Sequence, residues 1–134
     1  RFAYYKVSVG INHAMVRAQS SRKLDDAIDF HISLVRLRQL VLSKMDEGIS
    51  ATQALREAVD AVNEERLAAS AVAIRFSFSA YWGRGEFSAT FRTPESFGPF
   101  WEKVLSSEAL RKTRKPDKKR LRQELKEERD KVKQ

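Results

Sequence analysis

The sequence contains no cysteine, and only five glycines, three prolines and two histidines occur among its 134 residues. The absence of cysteine excludes disulfide bonds, a thiolate nucleophile and cysteine-ligated zinc or iron–sulfur centres. No apolar run approaches the roughly 18 residues of a membrane span, and the first residues lack the pattern of a signal peptide. We therefore expect a protein of the cytoplasm or another reducing intracellular compartment, with no membrane partner.

Signatures of catalysis are also scarce. His13 and His31 are not spaced as metal ligands, and the single "GRG" tripeptide is a turn pattern rather than a phosphate-binding loop. Asp25, Asp26 and Asp29 stand at the start of a predicted helix, where the helix dipole favours negative charge. The sequence therefore predicts a protein that is not an enzyme and that uses neither a metal nor another cofactor.

Positive charge is distributed unevenly along the chain. Residues 1–110 carry 14 lysines and arginines against 13 acids, whereas residues 111–134 carry 12 against 5. The length fits a single core, so we predict one compact domain over 1–110 and a basic, helix-prone tail over 111–134. A segment of this charge suits a polyanionic partner, although a solvated tail that only aids solubility has the same composition.

Two helices are predicted in the first half of the chain. Apolar residues recur at helical spacing from Leu24 to Glu47, and Gly48 is suited to terminate that helix. Its apolar surface is broad enough for packing on more than one side and comprises Leu24, Ala27, Ile28, Phe30, Leu34, Val35, Leu37, Val41, Leu42 and Met45. Ser50 and Gln53 form a capping-box pattern that predicts a second helix to about Leu67.

The remaining elements predict a small sheet and a C-terminal helix. Residues 1–10 alternate as a strand, whereas residues 11–21 are compatible with a short helix or an irregular connection. Residues 71–92 alternate sharply on both sides of the "GRG" turn and predict a β-hairpin, in which a two-residue loop pairs Phe76 with Phe91. A helix is expected from about Pro99 to Leu110. The fold class is therefore α+β: a helical hairpin packed with a small antiparallel sheet, a C-terminal helix and the basic helical tail.

The hairpin holds six of the thirteen aromatic residues of the chain. Phe76, Phe78, Phe87 and Phe91 share a face with aliphatic residues, which predicts a core position rather than a stacking surface for nucleic-acid bases. The opposite face carries arginines and hydroxyl groups suited to phosphate, or forms an ordinary solvated sheet surface. The candidate phosphate contacts in the hairpin are Arg75, Arg84 and Arg92.

The tail supplies further candidate contacts to nucleic acid. These cations are Arg111, Lys112, Arg114, Lys115, Lys118, Lys119, Arg120 and Arg122. An apolar seam of Leu121, Leu125 and Val132 makes the tail a candidate partner-binding helix as well.

The function predicted from these patterns is that of a non-catalytic protein that binds DNA or RNA, or accompanies a nucleoprotein, through the basic tail. The alternative is a structural or adaptor subunit that self-associates or docks on a protein partner through its helices and tail. A winged-helix arrangement has the right order of elements, but Glu64 and Glu65 in the segment that would enter the major groove would be repelled by phosphates.

Overall fold

The computed structural model describes residues 3–82, 86–87, 90–111 and 117–133. The elements within these residues are β1 (Ser8–Ile11), β2 (Ala14–Arg17), α1 (Leu24–Asp46), α2 (Ala51–Ala68), β3 (Ser77–Trp82), β4 (Glu86–Phe87), α3 (Pro94–Arg111) and α4 (Asp117–Lys133). The strands form one antiparallel sheet in the order β1-β2-β3-β4, and the helices pack on one of its faces. The fold is α+β, as the sequence predicts.

Residues 11–21, for which the sequence is compatible with a short helix or an irregular connection, contain strand β2. Asn12 and His13 form the turn before it, with φ values of 41° and 69°. Two consecutive residues with positive φ characterise the type I′ turn, whose twist matches a tight antiparallel hairpin. Trp101 donates an indole hydrogen bond of 2.8 Å to the Asn12 carbonyl oxygen, which ties this turn to α3.

The aromatic side chains of the hairpin form much of the core. Phe76, Phe78 and Phe91 are buried, which confirms their predicted position on the inner face. The rings of Phe78 and Phe91 each lie with their centroids 5.5 Å from that of Phe97 on α3. Such ring pairs add to the free energy gained by burial, and they fix α3 against the sheet.

The predicted hairpin register is wrong. Phe91 pairs with Phe78 rather than Phe76, and Trp82 pairs with Glu86. Pairing of residues 82 and 86 leaves three residues in the loop, not two. The pairs Tyr81–Phe87 and Phe78–Phe91 also differ from each other in register by one residue.

Helices α1 and α2 agree closely with their predicted limits. Gly48 has φ of 92° just after α1, and Ser50 caps α2 by accepting a 3.3 Å hydrogen bond from the Gln53 backbone N–H. The prediction that Leu24 and Ile28 belong to the buried side of α1 is wrong, because both are exposed. The core positions of α1 are Ala27, Phe30, Leu34, Leu37 and Val41.

Helix α3 begins five residues before its predicted start. Thr93 Oγ1 accepts a hydrogen bond of 3.2 Å from the Ser96 backbone N–H, which makes Thr93 the N-cap and Pro94 the first helical residue. Pro99 therefore lies inside the helix rather than at its first turn. The expected docking of the helix on the sheet is nevertheless present, through buried Phe97, Phe100, Trp101 and Val104.

Helix α4 packs against α3. Leu125 is 1% exposed and joins the core, and Lys103 on α3 pairs with Glu128 on α4 at 3.2 Å. The division into a domain over 1–110 and a tail over 111–134 stays a prediction based on charge.

Candidate nucleic-acid interface on the open sheet face

The two faces of the sheet differ in burial. Alternate residues of β1 and β2 are buried, whereas Phe78, Ser79 and Ala80 of β3 are all buried, so the second face is accessible at the Ser77 end of β3 and not at Ser79. On the other face, Ser8 pairs with Arg17, and Arg17 pairs with Ser77. Phe78 and Phe91 form an isolated bridge, and their chain neighbours Ser77 and Arg92 line one depression. We call the group of Ser8, Arg17, Arg75, Ser77 and Arg92 the open face.

Side-chain amides fix the backbone around Arg75. Gln19 donates to the Ala73 carbonyl oxygen at 3.2 Å and accepts from the Arg75 N–H at 2.9 Å. From the other side, Asn63 makes the same pair of bonds to Ile74, at 3.2 and 2.8 Å. These amides replace the backbone partners that a longer strand would supply, so the Arg75 main chain is held in an extended conformation although it precedes β3.

Arg92 is positioned by its neighbour in the chain. Both backbone groups of Phe91 bond to Phe78, at 2.7 and 2.8 Å, and the Phe91 ring is buried among rings of α3. Thr93, the residue after Arg92, is the N-cap of α3. Arg92 therefore projects from a short backbone segment that is held at both ends.

Two shallow depressions meet at these arginines. Both are lined by Arg75, Phe76 and Arg92. The first depression has a volume of about 330 Å³, and the rest of its lining is largely apolar. The second has a volume of about 360 Å³ and is also lined by Ser77 and by the residues that follow β2, Ala18, Gln19 and Ser20. Exposed guanidinium groups beside hydroxyl and amide groups can bind a phosphate oxygen through charge-assisted hydrogen bonds.

The strands and the first two helices differ in charge. Residues 3–21 and 71–82 contain no aspartate or glutamate. Helices α1 and α2 together carry eight acids against five lysines and arginines, whereas α4 carries five acids against eight. The open face is therefore positive without neutralising carboxylates on β1, β2 or β3, and α1 and α2 together carry an excess of negative charge.

Arg17 is a site residue that sequence reasoning missed. The signal was present, because Ala14, Val16 and Ala18 alternate with polar or larger residues directly after Asn12. A strand of only four residues gives a weak periodic pattern, and the turn before it contains no glycine, so the alternation alone does not predict a strand.

The other residues predicted to bind phosphate are not seen to lie at the open face in the described part of the chain. Arg111 is the last residue of α3, Arg122 is half-buried on α4, and Lys118, Lys119 and Arg120 lie in the first turns of α4. Four further candidates lie outside the described residues: Arg84, Lys112, Arg114 and Lys115.

The predicted partner-binding seam is partly used by the chain itself. Leu125 is buried against the same chain, and the side chains of Leu121 and Val132 are outside the description. While α4 packs on α3, Leu125 therefore has no surface to offer to another protein.

The acidic residues at the start of α1 have structural partners. Asp26 accepts a hydrogen bond of 3.0 Å from Ser21 Oγ, and Asp29 pairs with Arg66 at 2.9 Å. Throughout the described ranges, no three histidine or acidic side chains are grouped so that they could hold a metal ion. No helix in those ranges combines the length and apolar character needed to cross a membrane.

Comparisons of the chain with protein-family models, with curated proteins and with solved structures found no significant match.

Proposed function

We propose that the protein is a non-catalytic nucleic-acid-binding protein, in which the open face and the basic C-terminal segment both contact phosphates. The observation that carries this proposal is the grouping of arginines at one end of the sheet: Arg17 pairs with Ser77, Ser77 lines a depression with Arg75 and Arg92, and β1, β2 and β3 carry no carboxylate.

The spacing of the open face favours an extended anion. Neighbouring strands lie about 4.8 Å apart, so the backbones of Arg17 and Arg92 are separated by roughly 10 Å across the sheet. A ligand that engages both arginines through separate charge-assisted hydrogen bonds needs more than one anionic group. A nucleic-acid backbone provides such a series of phosphates.

The mode of binding follows from the position of the aromatic rings. The rings of Phe76, Phe78 and Phe91 are buried. Protein surfaces that stack unpaired bases expose such rings beside their cations, so these three rings are not expected to stack on bases. Binding through phosphates alone is insensitive to base sequence and weakens steeply as salt rises.

The C-terminal cations would extend the same interaction. Residues 111–134 hold 12 of the 26 lysines and arginines of the chain. Each cation that neutralises a phosphate adds to counterion release, so this segment would strengthen binding without adding sequence preference.

The adaptor alternative involves docking through the helices and the tail. Leu125 of the tail seam is buried and is not free to bind a partner. One observation does favour self-association through a helix, namely an exposed apolar strip on α1.

Fluorescence anisotropy with labelled duplex and single-stranded DNA and RNA, measured from low to moderate salt, tests the proposal. The full chain is compared with R17A/R75A/R92A and with R38A/K44A/R56A, which removes the same charge from α1 and α2. We expect the first variant to bind more weakly and to lower the slope of log affinity against log salt by about 2 to 3 for duplex DNA. The second variant should lose little affinity.

A third variant, K118Q/K119Q/R120Q, tests the C-terminal segment without removing α4, which contributes Leu125 to the core. A lower salt slope in this variant supports the role of the segment. Absence of binding by the full chain at low salt would overturn the proposal, and equal losses in both arginine variants would refute the assignment to the open face.

A further inference from the structure

Helix α1 carries an exposed apolar strip. Leu24, Ile28 and Ile32 follow one another at intervals of four residues and are 54%, 51% and 63% exposed. Tyr4 and Tyr5 are exposed on the preceding segment. These are five of the seven large apolar side chains found exposed in the described residues. We call Leu24, Ile28 and Ile32 the α1 strip.

Within the described residues, the α1 strip points away from the core. At about 100° per residue, Ile28 and the fully buried Leu34 point about 120° apart around the helix. A groove of about 280 Å³ runs beside the strip, between α1 and Tyr5, Lys6 and Val7. A concentrated apolar surface of this kind marks an interaction site more often than scattered exposed residues do.

The strip lies at an open side of the sheet. Strand β1 is an edge strand, and α1 packs against it. Within the described residues, the edge of β1 and the exposed strip of α1 therefore lie on the same side of the domain. An edge strand left free in this way is a ready site for another chain.

We propose that the α1 strip is the contact surface between two copies of this chain, with the two α1 helices packed antiparallel about a two-fold axis. The charges beside the strip select a second copy as the partner. Asp25 and Asp29 flank the strip near the start of α1, and Arg36 flanks it on the same side about two to three turns later. In an isologous antiparallel pair, the same flank of both helices meets, so Asp25 of one copy can face Arg36 of the other.

One antiparallel register pairs Ile28 and Ile32 of the two copies, places Leu24 opposite Arg36, and also brings Asp25 close to Arg36. Placing Ile28 opposite Ile32 of the second copy brings Asp25 to within one residue of a position opposite Arg36. Arg36 already contacts Glu65 at 3.1 Å, with both side chains about half exposed. A surface ion pair of this type contributes little stability, so Arg36 can rearrange toward Asp25 at small cost.

Sedimentation velocity without nucleic acid tests this proposal separately from the proposed function. The full chain is measured from about 1 μM to about 1 mM, a range that resolves weak and moderate dimers. We expect a monomer–dimer equilibrium that I32E shifts to monomer by at least tenfold in Kd. Leu67 on α2 is equally exposed, at 63%, so L67E serves as the matched control and should leave the equilibrium unchanged.

Charge exchange tests the antiparallel arrangement itself. D25R and R36D should each weaken the dimer, and the double exchange D25R/R36D should restore part of the loss, because opposite charges again face each other. Circular dichroism should show that every variant keeps its helical content, since all the substituted side chains are exposed. A chain that stays monomeric at the highest concentration, or a dimer that I32E and L67E affect equally, would overturn the proposal.

Discussion

The side-chain amide of Asn63 on α2 bonds to both backbone groups of Ile74, accepting from its N–H at 2.8 Å and donating to its carbonyl oxygen at 3.2 Å. Ile74 itself is buried, and the next residue is Arg75 of the open face. Helix α2 thus controls the path of the chain just where it reaches the candidate site.

Replacement of Asn63 by aspartate should separate these two bonds. The carboxylate still accepts from the Ile74 N–H, but it cannot donate to the Ile74 carbonyl oxygen and repels it instead. We expect N63D to lower the free energy of unfolding by about 1 to 3 kcal/mol, measured by urea denaturation. Q39E makes the same chemical change at an exposed position of α1 and should cost much less. Equal losses in the two variants would show that the Asn63 bonds contribute nothing specific.

Arg66 is expected to be sensitive even to lysine. Its guanidinium is buried, donates to the Val72 carbonyl oxygen at 2.6 Å and to Ser33 Oγ at 2.9 Å, and lies 5.2 Å from the centroid of the Phe30 ring. A lysine ammonium cannot reproduce this planar set of donors. R66K should therefore destabilise the protein by about 2 kcal/mol, since bonds to charged groups are worth roughly 1.5 to 3 kcal/mol.

The exposed Arg56 on the same helix provides the control for this measurement. R56K should change the free energy of unfolding by less than about 0.5 kcal/mol, as is usual for surface positions. Thermal and urea unfolding of both variants should agree on this ranking. An R66K protein as stable as the R56K protein would mean that the buried guanidinium is dispensable.

Gly98 sets the distance between α2 and α3. A Cβ atom at this position would lie within 3.0 Å of three side-chain atoms of Thr52. Because the Thr52 Cβ is among them, the clash cannot be relieved by side-chain rotation alone, and the helices must separate. We expect G98A to cost about 1 to 3 kcal/mol, as overpacked cores do. G10A, where the nearest atom is 3.9 Å away, is the control and should cost less.

Arg17 offers the sharpest test of the open face, because it was found only through the sheet register. R17A should reduce the affinity for duplex DNA and lower the salt slope by about 1, the amount expected for one lost phosphate contact. K44A removes one charge near the end of α1 and should leave the slope unchanged. A slope that is the same for R17A and the unsubstituted chain would exclude Arg17 from the interface.

The long elements of the fold could be predicted because several sequence signals agree there. Helices α1 and α2 combine helical periodicity with Gly48 between them and Ser50 as a cap, and the alternating rings of the hairpin identify its inner face. The short elements could not be predicted. Strand β2 has four residues, and its turn depends on positive φ at two residues that are not glycine.

Other errors arose where local pattern does not determine tertiary contact. Two prolines five residues apart each fit the first turn of a helix, and only the hydrogen bond to Thr93 identifies Pro94 as the start of α3. Periodicity showed that the apolar surface of α1 is broad, but it cannot tell which part of that surface the chain covers. The exposed position of Ile28 therefore follows from packing and not from sequence.

The contrast between the acid-free strands β1, β2 and β3 and the net-negative helices α1 and α2 contributes an electric dipole directed from those helices toward the open face. In the field of a polyanion, a torque turns the positive face toward the approaching ligand before any contact forms. A larger fraction of diffusional encounters then begins in a productive orientation. The result is a higher association rate constant. Added salt screens the long-range field, so it removes this increase before it disrupts the bound complex.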